Sequence, residues 1–309
     1  MSKPLQLGLV GFGKIARDQH LPAIAALPGS ELVAIASRNA EAEGVANYTS
    51  LEALLAGEPG LDAVILCQPP QARYDAARMA LLAGKHVFLE KPPRATVSEV
   101  EALVDLARAR SVTLFASWHS RHAAGVAAAK AWLAGRALTS ARIAWKEDIR
   151  VWHPGQDWIL QAGGFGVFDP GINALSILTE IVPERVRLID ATLAIPAKRH
   201  APIAAALSLA TASGVPIAAA FDFLQTGPQS WDIAVETDRG PLLLAHGGNA
   251  LTIDGARVAL EPEGEYPALY RRFAALIADG VSDVDTAPLQ IVADAFLRGE
   301  ITRTEAFDY

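Results

Sequence analysis

Leu5-Gln6-Leu7-Gly8-Leu9-Val10-Gly11-Phe12-Gly13-Lys14-Ile15-Ala16 decides the fold: a short apolar run breaks directly into Gly-x-Gly-x-x-Ala. A strand that feeds a glycine turn and then a helix is the start of a dinucleotide-binding unit. The first glycine permits the tight turn, the second lets backbone approach a pyrophosphate, and the small third residue lets helix pack on strand. Gly11, Gly13, Lys14 and Ile15 are therefore candidate cofactor contacts, acting at the helix start, where backbone N–H groups face outward. The segment beyond is apolar at helical spacing (Ile15, His20, Leu21, Ile24). Pro22 within it predicts a kink or two short helices, with Pro28-Gly29 as the stop.

The next strand, Glu31 to Ala36, runs into Ser37-Arg38-Asn39. An enzyme built for NAD places a carboxylate here for the ribose 2′-hydroxyl, whereas Ser37 and the permanently charged Arg38 suit a 2′-phosphate. The expected cofactor is NADP, with NAD accepted as a second choice. Leu61 to Cys67 is a continuous apolar strand followed by Gln68-Pro69-Pro70, and a helix with Tyr74, Ala77 and Leu81 on one face ends at Gly84. Cys67 reads as a small buried residue at a strand end rather than a nucleophile, and with Gln68 and Pro69 it joins the candidate cofactor contacts. His86 to Leu89 is a further buried strand, closing in Glu90-Lys91-Pro92-Pro93. A helix around Ser98 to Arg110 and a strand from Val112 to Ala116 follow. Strand–helix alternation of this kind is an α/β, doubly wound parallel sheet, a Rossmann domain over 1–120. Lys91 then stands at the carboxyl end of a strand, where such sheets bind ligands.

The chain is 309 residues, half of them apolar, with a formal charge of −7. That size leads us to expect two domains. The scattered Lys and Arg give no footprint for nucleic acid or a membrane surface. Cys67 is the only cysteine, which excludes an internal disulfide and any cysteine metal cluster and suits a reducing cytoplasm. The N-terminus lacks a signal-peptide pattern, so a cytoplasmic location is expected. The apolar stretch from Ala201 to Phe221 is interrupted by Ser208, Thr211, Ser213-Gly214 and Pro216, and reads as two strands around a turn rather than a membrane span.

Past Ser120 the texture changes. An Ala-rich helix from about His122 to Leu133 and a strand from Thr139 to Trp145 lead into short alternating segments between Arg185 and Val258. Their turns are Ser213-Gly214, Asp238-Arg239-Gly240, Gly247-Gly248-Asn249 and Asp254-Gly255. Two helices, Tyr266 to Ala278 and Pro288 to Leu297, close the chain. The expectation is an α+β second domain, 121–309, with a largely antiparallel open sheet, its last helix packing back on the first domain. Trp152-His153-Pro154-Gly155-Gln156-Asp157-Trp158 reads as a loop, and Gly163-Gly164-Phe165-Gly166 opens a helix carrying Asp169 and Asn173 on one face. The glycines there suggest close approach of backbone to a ligand. Trp152, Trp158 and Trp231 offer rings to apolar faces of a ligand, and His119, Glu147 and His153 offer it hydrogen bonds. His119, Glu147, His153 and Asp169 also raise the question of a metal, but no His-x-His or His-x-x-x-His spacing occurs, so none is expected.

Gly-x-Gly-x-x-Ala, Gln68-Pro69-Pro70, Ala83-Gly84-Lys85-His86-Val87 and Glu90-Lys91-Pro92 resemble the Gfo/Idh/MocA oxidoreductase family. The resemblance implies that Glu90 and Lys91 mark the nicotinamide site, that Lys91 touches the reacting hydroxyl, and that the Lys91–Pro92 peptide is cis. The family often has His just after the Pro-Pro helix start, where this chain has Arg73. Gly-Gly-x-Gly-x-x-Asp-x-Gly-x-Asn, ending at Asn173, resembles the family's second motif, which usually ends in His. Trp145-Lys146-Glu147-Asp148, Trp152 to Gln156, Phe168 to Ser176, Glu265 to Tyr270 and Ser282 to Asp285 extend the likeness over nearly the whole chain, toward family members that oxidise an aldopyranose at C1 to a lactone. It implies L-arabinose as substrate, with D-galactose and D-fucose alongside. It also implies sugar contacts for Lys91, Glu147, His153, Asp169 and Asn173, and oligomerisation through the second sheet unless the protein is a monomer.

Asn173 cannot take a proton, so a Lys–Asp–His relay is unavailable and the acid–base work falls to Asp169 or Lys91. Asn173 is left to orient the sugar or Asp169. Two alternatives stay open: another sugar or inositol dehydrogenase of the same family, and a non-catalytic NADP-sensing regulator.

Overall fold

A computed structural model describes residues 3–261 and 263–308. The chain sorts into two compact units, one holding the residues up to His119 together with Gly264–Thr286, the other holding Ser120–Glu263 together with Ala287 onward. The helix that returns to the first unit is Glu265–Asp279, not the last one, Ala287–Arg298.

The first unit is a six-stranded parallel sheet of β1 (Leu5–Val10), β2 (Ser30–Ala36), β3 (Ala46–Tyr48), β4 (Ala63–Leu66), β5 (His86–Glu90) and β6 (Leu114–Ser117), in the order β3-β2-β1-β4-β5-β6. Strand order reverses at β1, so a crevice opens where β1 and β4 end. Alternate strand residues pack on opposite faces. Val64, Leu66, Val87 and Leu89 meet Leu81 and Leu103, whereas Leu9, Ile65, Phe88 and Phe115 meet Leu269, Tyr270 and Phe273. Phe88 stacks on Tyr270 at 5.3 Å and Phe115 on Phe273 at 5.9 Å, so Glu265–Asp279 completes this core. The chain beyond Gly280 then borders β6: Asp283 N–H donates to the Leu114 carbonyl at 3.1 Å, and Ala116 N–H donates to the Asp283 carbonyl at 3.0 Å. The predicted break at Pro22 is a wide turn over Ala16–His20 running into a short α-helix, Leu21–Ala25. β3 and the helix Leu51–Gly57, capped by the Ser50 hydroxyl, were not expected from sequence.

The second unit is a nine-stranded sheet: β7 (Leu138–Lys146), β8 (Val186–Pro196), β9 (Ala204–Thr211), β10 (Pro216–Asp222), β11 (Ser230–Thr237), β12 (Gly240–Ala245), β13 (Ala250–Ile253), β14 (Ala256–Arg257) and β15 (Glu300–Thr304). Their order is β14-β13-β12-β11-β7-β10-β9-β8-β15. All pairs are antiparallel except β7 with β10 and β8 with β15. The stretch around Ser213-Gly214 is the β9–β10 hairpin, as its breaks imply, and no described helix is long and apolar enough to cross a membrane. β15 follows the last helix, where the sequence suggested no further strand. One sheet face buries Ile143, Leu207, Phe221 and Val235, with Phe221 edge-on to Phe168 of the helix Phe168–Ile181. The other face carries Arg142, Ser208 and Ala218, which are exposed.

Candidate active site

Of the cofactor candidates, Gly11, Gly13, Ser37, Arg38, Cys67, Gln68 and Pro69 line one cleft of about 800 Å³ in the first unit, and Lys14, Ile15, Glu90 and Lys91 are not among its lining residues. Gly11 has φ +91°, and a Cβ there would lie 2.9 Å from the Gln68 backbone nitrogen, so only glycine fits between β1 and the end of β4. A Cβ on Gly13 would meet nothing within 4 Å, which leaves open space in front of a helical start. Lys14 and Ile15 are exposed beside it, and the Lys14 ammonium pairs with Asp18 one turn along. Ser37 and the exposed Arg38 stand on the cleft wall at the end of β2. Gln68 Oε1 is buried at this cleft with no partner among the described residues. An open glycine turn, an outward guanidinium and an orphaned acceptor fit a dinucleotide, whose nicotinamide supplies hydride transfer when bound.

Lys91 follows the last residue of β5, half-buried, and its peptide to Pro92 is cis as the resemblance implies. Glu90, just before it, is almost wholly buried and fully engaged. Oε1 accepts from the Tyr266 hydroxyl at 2.7 Å and faces His20 Nε2 at 3.1 Å, while Oε2 accepts from the Lys91 backbone N–H at 2.7 Å. His20 Nδ1 reaches the Tyr270 hydroxyl at 2.7 Å. Burial works against charge on both partners. The His20 hydrogen bond and charge nonetheless hold the Glu90 carboxyl down at about 2. The neighbouring Cys67 and Glu90 lift His20 to about 10. The two form a buried ion pair, and burial keeps the hydroxyls of Tyr266 and Tyr270 protonated. His119, four-fifths buried, follows β6 directly, its Nδ1 2.5 Å from Glu265 Oε2 and its ring stacked on Tyr266 at 5.6 Å.

The second unit gathers Glu147, Trp152, His153, Asp169 and Trp231 into one cluster. β7 ends at Lys146, and Glu147 N–H donates to the Asp222 carbonyl at 2.8 Å. Asp148 then caps a helical turn, Ile149–Trp152, accepting from Arg150 N–H at 3.0 Å and from its guanidinium. This turn replaces part of the expected loop and brings His153 back over Glu147. His153 Nε2 lies 3.0 Å from Glu147 Oε1, and Trp231 Nε1 donates to Glu147 Oε2 at 2.9 Å. The exposed Trp152 meets Trp231 edge-to-face at 5.1 Å. His153 Nδ1 lies 4.0 Å from Oδ2 of Asp169, the second residue of Phe168–Ile181, and Asn173 sits half-buried one turn on. Gly164 and Gly166 serve packing rather than a ligand: a Cβ on either would come within 2.2 Å of the Ile159 or Pro202 carbonyl oxygen. Among the described residues no His, Cys, Asp and Glu cluster is arranged to hold a metal.

Sequence reasoning did not single out His20, Tyr266 or Arg73 for the site. The signals were a histidine inside an apolar periodic segment and an arginine where the resembling family often has His.

A family model, GFO_IDH_MocA (oxidoreductase family, NAD-binding Rossmann fold), matches residues 5–117. Over 305 residues the chain is 45% identical to galactose 1-dehydrogenase of Pseudomonas fluorescens, covering 99% of each. The crystal structure of D-galactose-1-dehydrogenase from Rhizobium etli superposes with a TM-score of 0.96 at 57% identity, covering 100% of this chain and 99% of that one. KijD10, a 3-ketoreductase from Actinomadura kijaniata solved with NADP and TDP-benzene, shares the fold at a TM-score of 0.84 and 21% identity, covering 97% and 99% of the two chains. With the glycine turn, the six-stranded sheet and a full-length relative in agreement, the chain belongs to the Gfo/Idh/MocA oxidoreductase family, with an NAD-binding Rossmann fold at its N-terminal end.

Proposed function

We propose that this protein oxidises an aldopyranose at C1 to the aldonolactone, passing hydride to NADP in preference to NAD. The observation that carries this reading is full-length likeness to two galactose 1-dehydrogenases. D-galactose is accordingly a substrate. L-arabinose, the first substrate of our reading, and D-fucose share its ring configuration at C2 to C4. Asp169 or Lys91 takes the proton of the C1 hydroxyl, and Lys91 stabilises the forming alkoxide electrostatically. Glu147, each oxygen oriented by one partner (His153 or Trp231) and with its remaining lone pairs able to accept, is set to fix sugar hydroxyls, with Asn173 and His119 as further hydrogen-bonding groups. Trp152 and Trp231 offer a right-angled pair of rings to the sugar's apolar faces.

Gly11, Gly13, Lys14, Ile15, Cys67, Gln68 and Pro69 hold the dinucleotide, and Ser37 with Arg38 takes the 2′-phosphate. No described protein group pairs with the Arg38 guanidinium, which leaves it available for that contact. Self-association through the exposed face of the nine-stranded sheet belongs to the same reading, and light scattering checks it.

The test is turnover of a sugar panel with NADP and NAD, followed by reduced-cofactor absorbance. Oxidation of D-galactose, L-arabinose and D-fucose is expected, lowered by about 10²–10⁴-fold in Asp169→Asn if Asp169 is the base and by far less if Lys91 is. Turnover of inositol but of no aldopyranose would end the claim. Arg38→Ala should cut the kcat/KM preference for NADP over NAD roughly tenfold or more, the worth of one lost charge-assisted contact.

A further inference from the structure

Arg73 opens the helix Arg73–Leu82, yet its side chain turns into the protein and is 3% exposed. Its Nε donates to the Gln68 carbonyl at 2.6 Å, and its Nη1 donates to the carbonyls of both Glu90 and Pro92. Glu90 and Pro92 flank Lys91 in the chain, and Gln68 lies in the loop after β4 that lines the dinucleotide cleft. A guanidinium in a dry interior is costly unless its planar fork of donors is matched, and here carbonyls from two separate loops match it. An ammonium is a point charge without that fork, and a neutral imidazole has a single N–H. Arg94 repeats the device beside it: Nη1 donates to the Pro70 carbonyl at 2.6 Å while its other edge pairs with Glu99.

We propose that Arg73 is a positioning residue for Lys91, clamping the peptide on both sides of that lysine to the loop that meets the cofactor. The inference rests on the reading of Lys91 as the group that meets the reacting hydroxyl. Held in this way, Lys91 and the Gln68 loop move as one piece, and the ammonium keeps its place as the sugar enters. A misplacement of about 1 Å at such a group costs on the order of 10²-fold in rate.

The experiment is a double-mutant cycle on the full-length enzyme, with Arg73→Lys, Arg73→His and Lys91→Ala, measuring kcat, sugar KM and NADP affinity by fluorescence. A fall in kcat of roughly 10²-fold in Arg73→Lys is expected, with sugar KM and NADP affinity changed far less. The loss should vanish in the Lys91→Ala background, and ethylguanidinium should restore kcat to Arg73→Ala saturably. If Arg73→Ala does not fold, Arg73→Lys carries the cycle. Wild-type kcat in Arg73→Lys, or a loss of the same size with and without Lys91, overturns the proposal while leaving the reading of Lys91 intact. Wild-type kcat in Lys91→Ala overturns that reading, and the proposal with it.

Discussion

Glu90 and Glu147 occupy matching places in the two units, and their surroundings differ. Each stands at the carboxyl end of a strand, Glu90 closing β5 and Glu147 following β7, and each is held by one histidine and one aromatic donor. Glu90 is sealed under the helix Glu265–Asp279, against a fully buried His20 whose other nitrogen is taken by Tyr270. Glu147 has a half-buried His153 and the exposed Trp152 for neighbours, and His153 turns its other nitrogen toward Asp169. The same local device thus stands in two environments. Where every donor is spent inside the protein, the carboxylate fixes the backbone, as Glu90 does for the Lys91 amide. At Glu147, solvent reaches the partners, and our proposal gives this carboxylate to the sugar.

The largest break in this comparison comes from Glu90→Gln, which leaves His20 as an uncompensated buried charge. Removing one partner of a buried ion pair costs about 3–5 kcal/mol. A Tm lower by on the order of 10 °C is expected by calorimetry. Glu147→Gln should behave oppositely, with Tm close to wild type and sugar KM raised roughly 10- to 100-fold, the worth of about 1.5–3 kcal/mol for a hydrogen bond to a charged group. Equal Tm losses in the two variants would erase the distinction.

The smallest effect, and the most diagnostic, is in pH. His20 is raised to about 10, so its share of stability is full below about 6.5, fades as pH climbs, and is gone above about 10. Glu90 is depressed to about 2, so its share is full above its ordinary value and fades only as pH falls toward 2. The Tm gap between wild type and His20→Gln should therefore narrow from neutral pH toward pH 10, and a gap constant over that range refutes the ion pair.

The glycine turn, the strand–helix alternation and the parallel sheet are legible because they rest on local rules: Gly11 must be glycine, and strands and helices carry their own periods. β3 is three residues long and has no period to read. β15 is recognisable only through its pairing with β8 more than a hundred residues earlier. The grouping of Glu147, His153 and Asp169 was anticipated as chemistry, whereas the capped turn after Asp148 that assembles them was not. His20, Glu90 and Tyr266 come together from three distant stretches, and no spacing rule links them. The glycines before Asp169 suggest room for a ligand because sequence does not say whose backbone approaches; in the structure it is the chain's own, at Ile159 and Pro202.

The return of Gly264–Thr286 to the first unit has a consequence for biosynthesis. When His119 leaves the ribosome, the aromatic face of Phe88 and Phe115 has only part of its cover, from His20 and the segment around Ala23 and Ile24, because Tyr270 and Phe273 are yet to be made. At a typical ~5–20 residues per second, that face waits on the order of 10 s for its lid. An N-terminal fragment ending at His119 would lack the helix that completes this core. Its completion is timed by synthesis of the chain as far as Phe273.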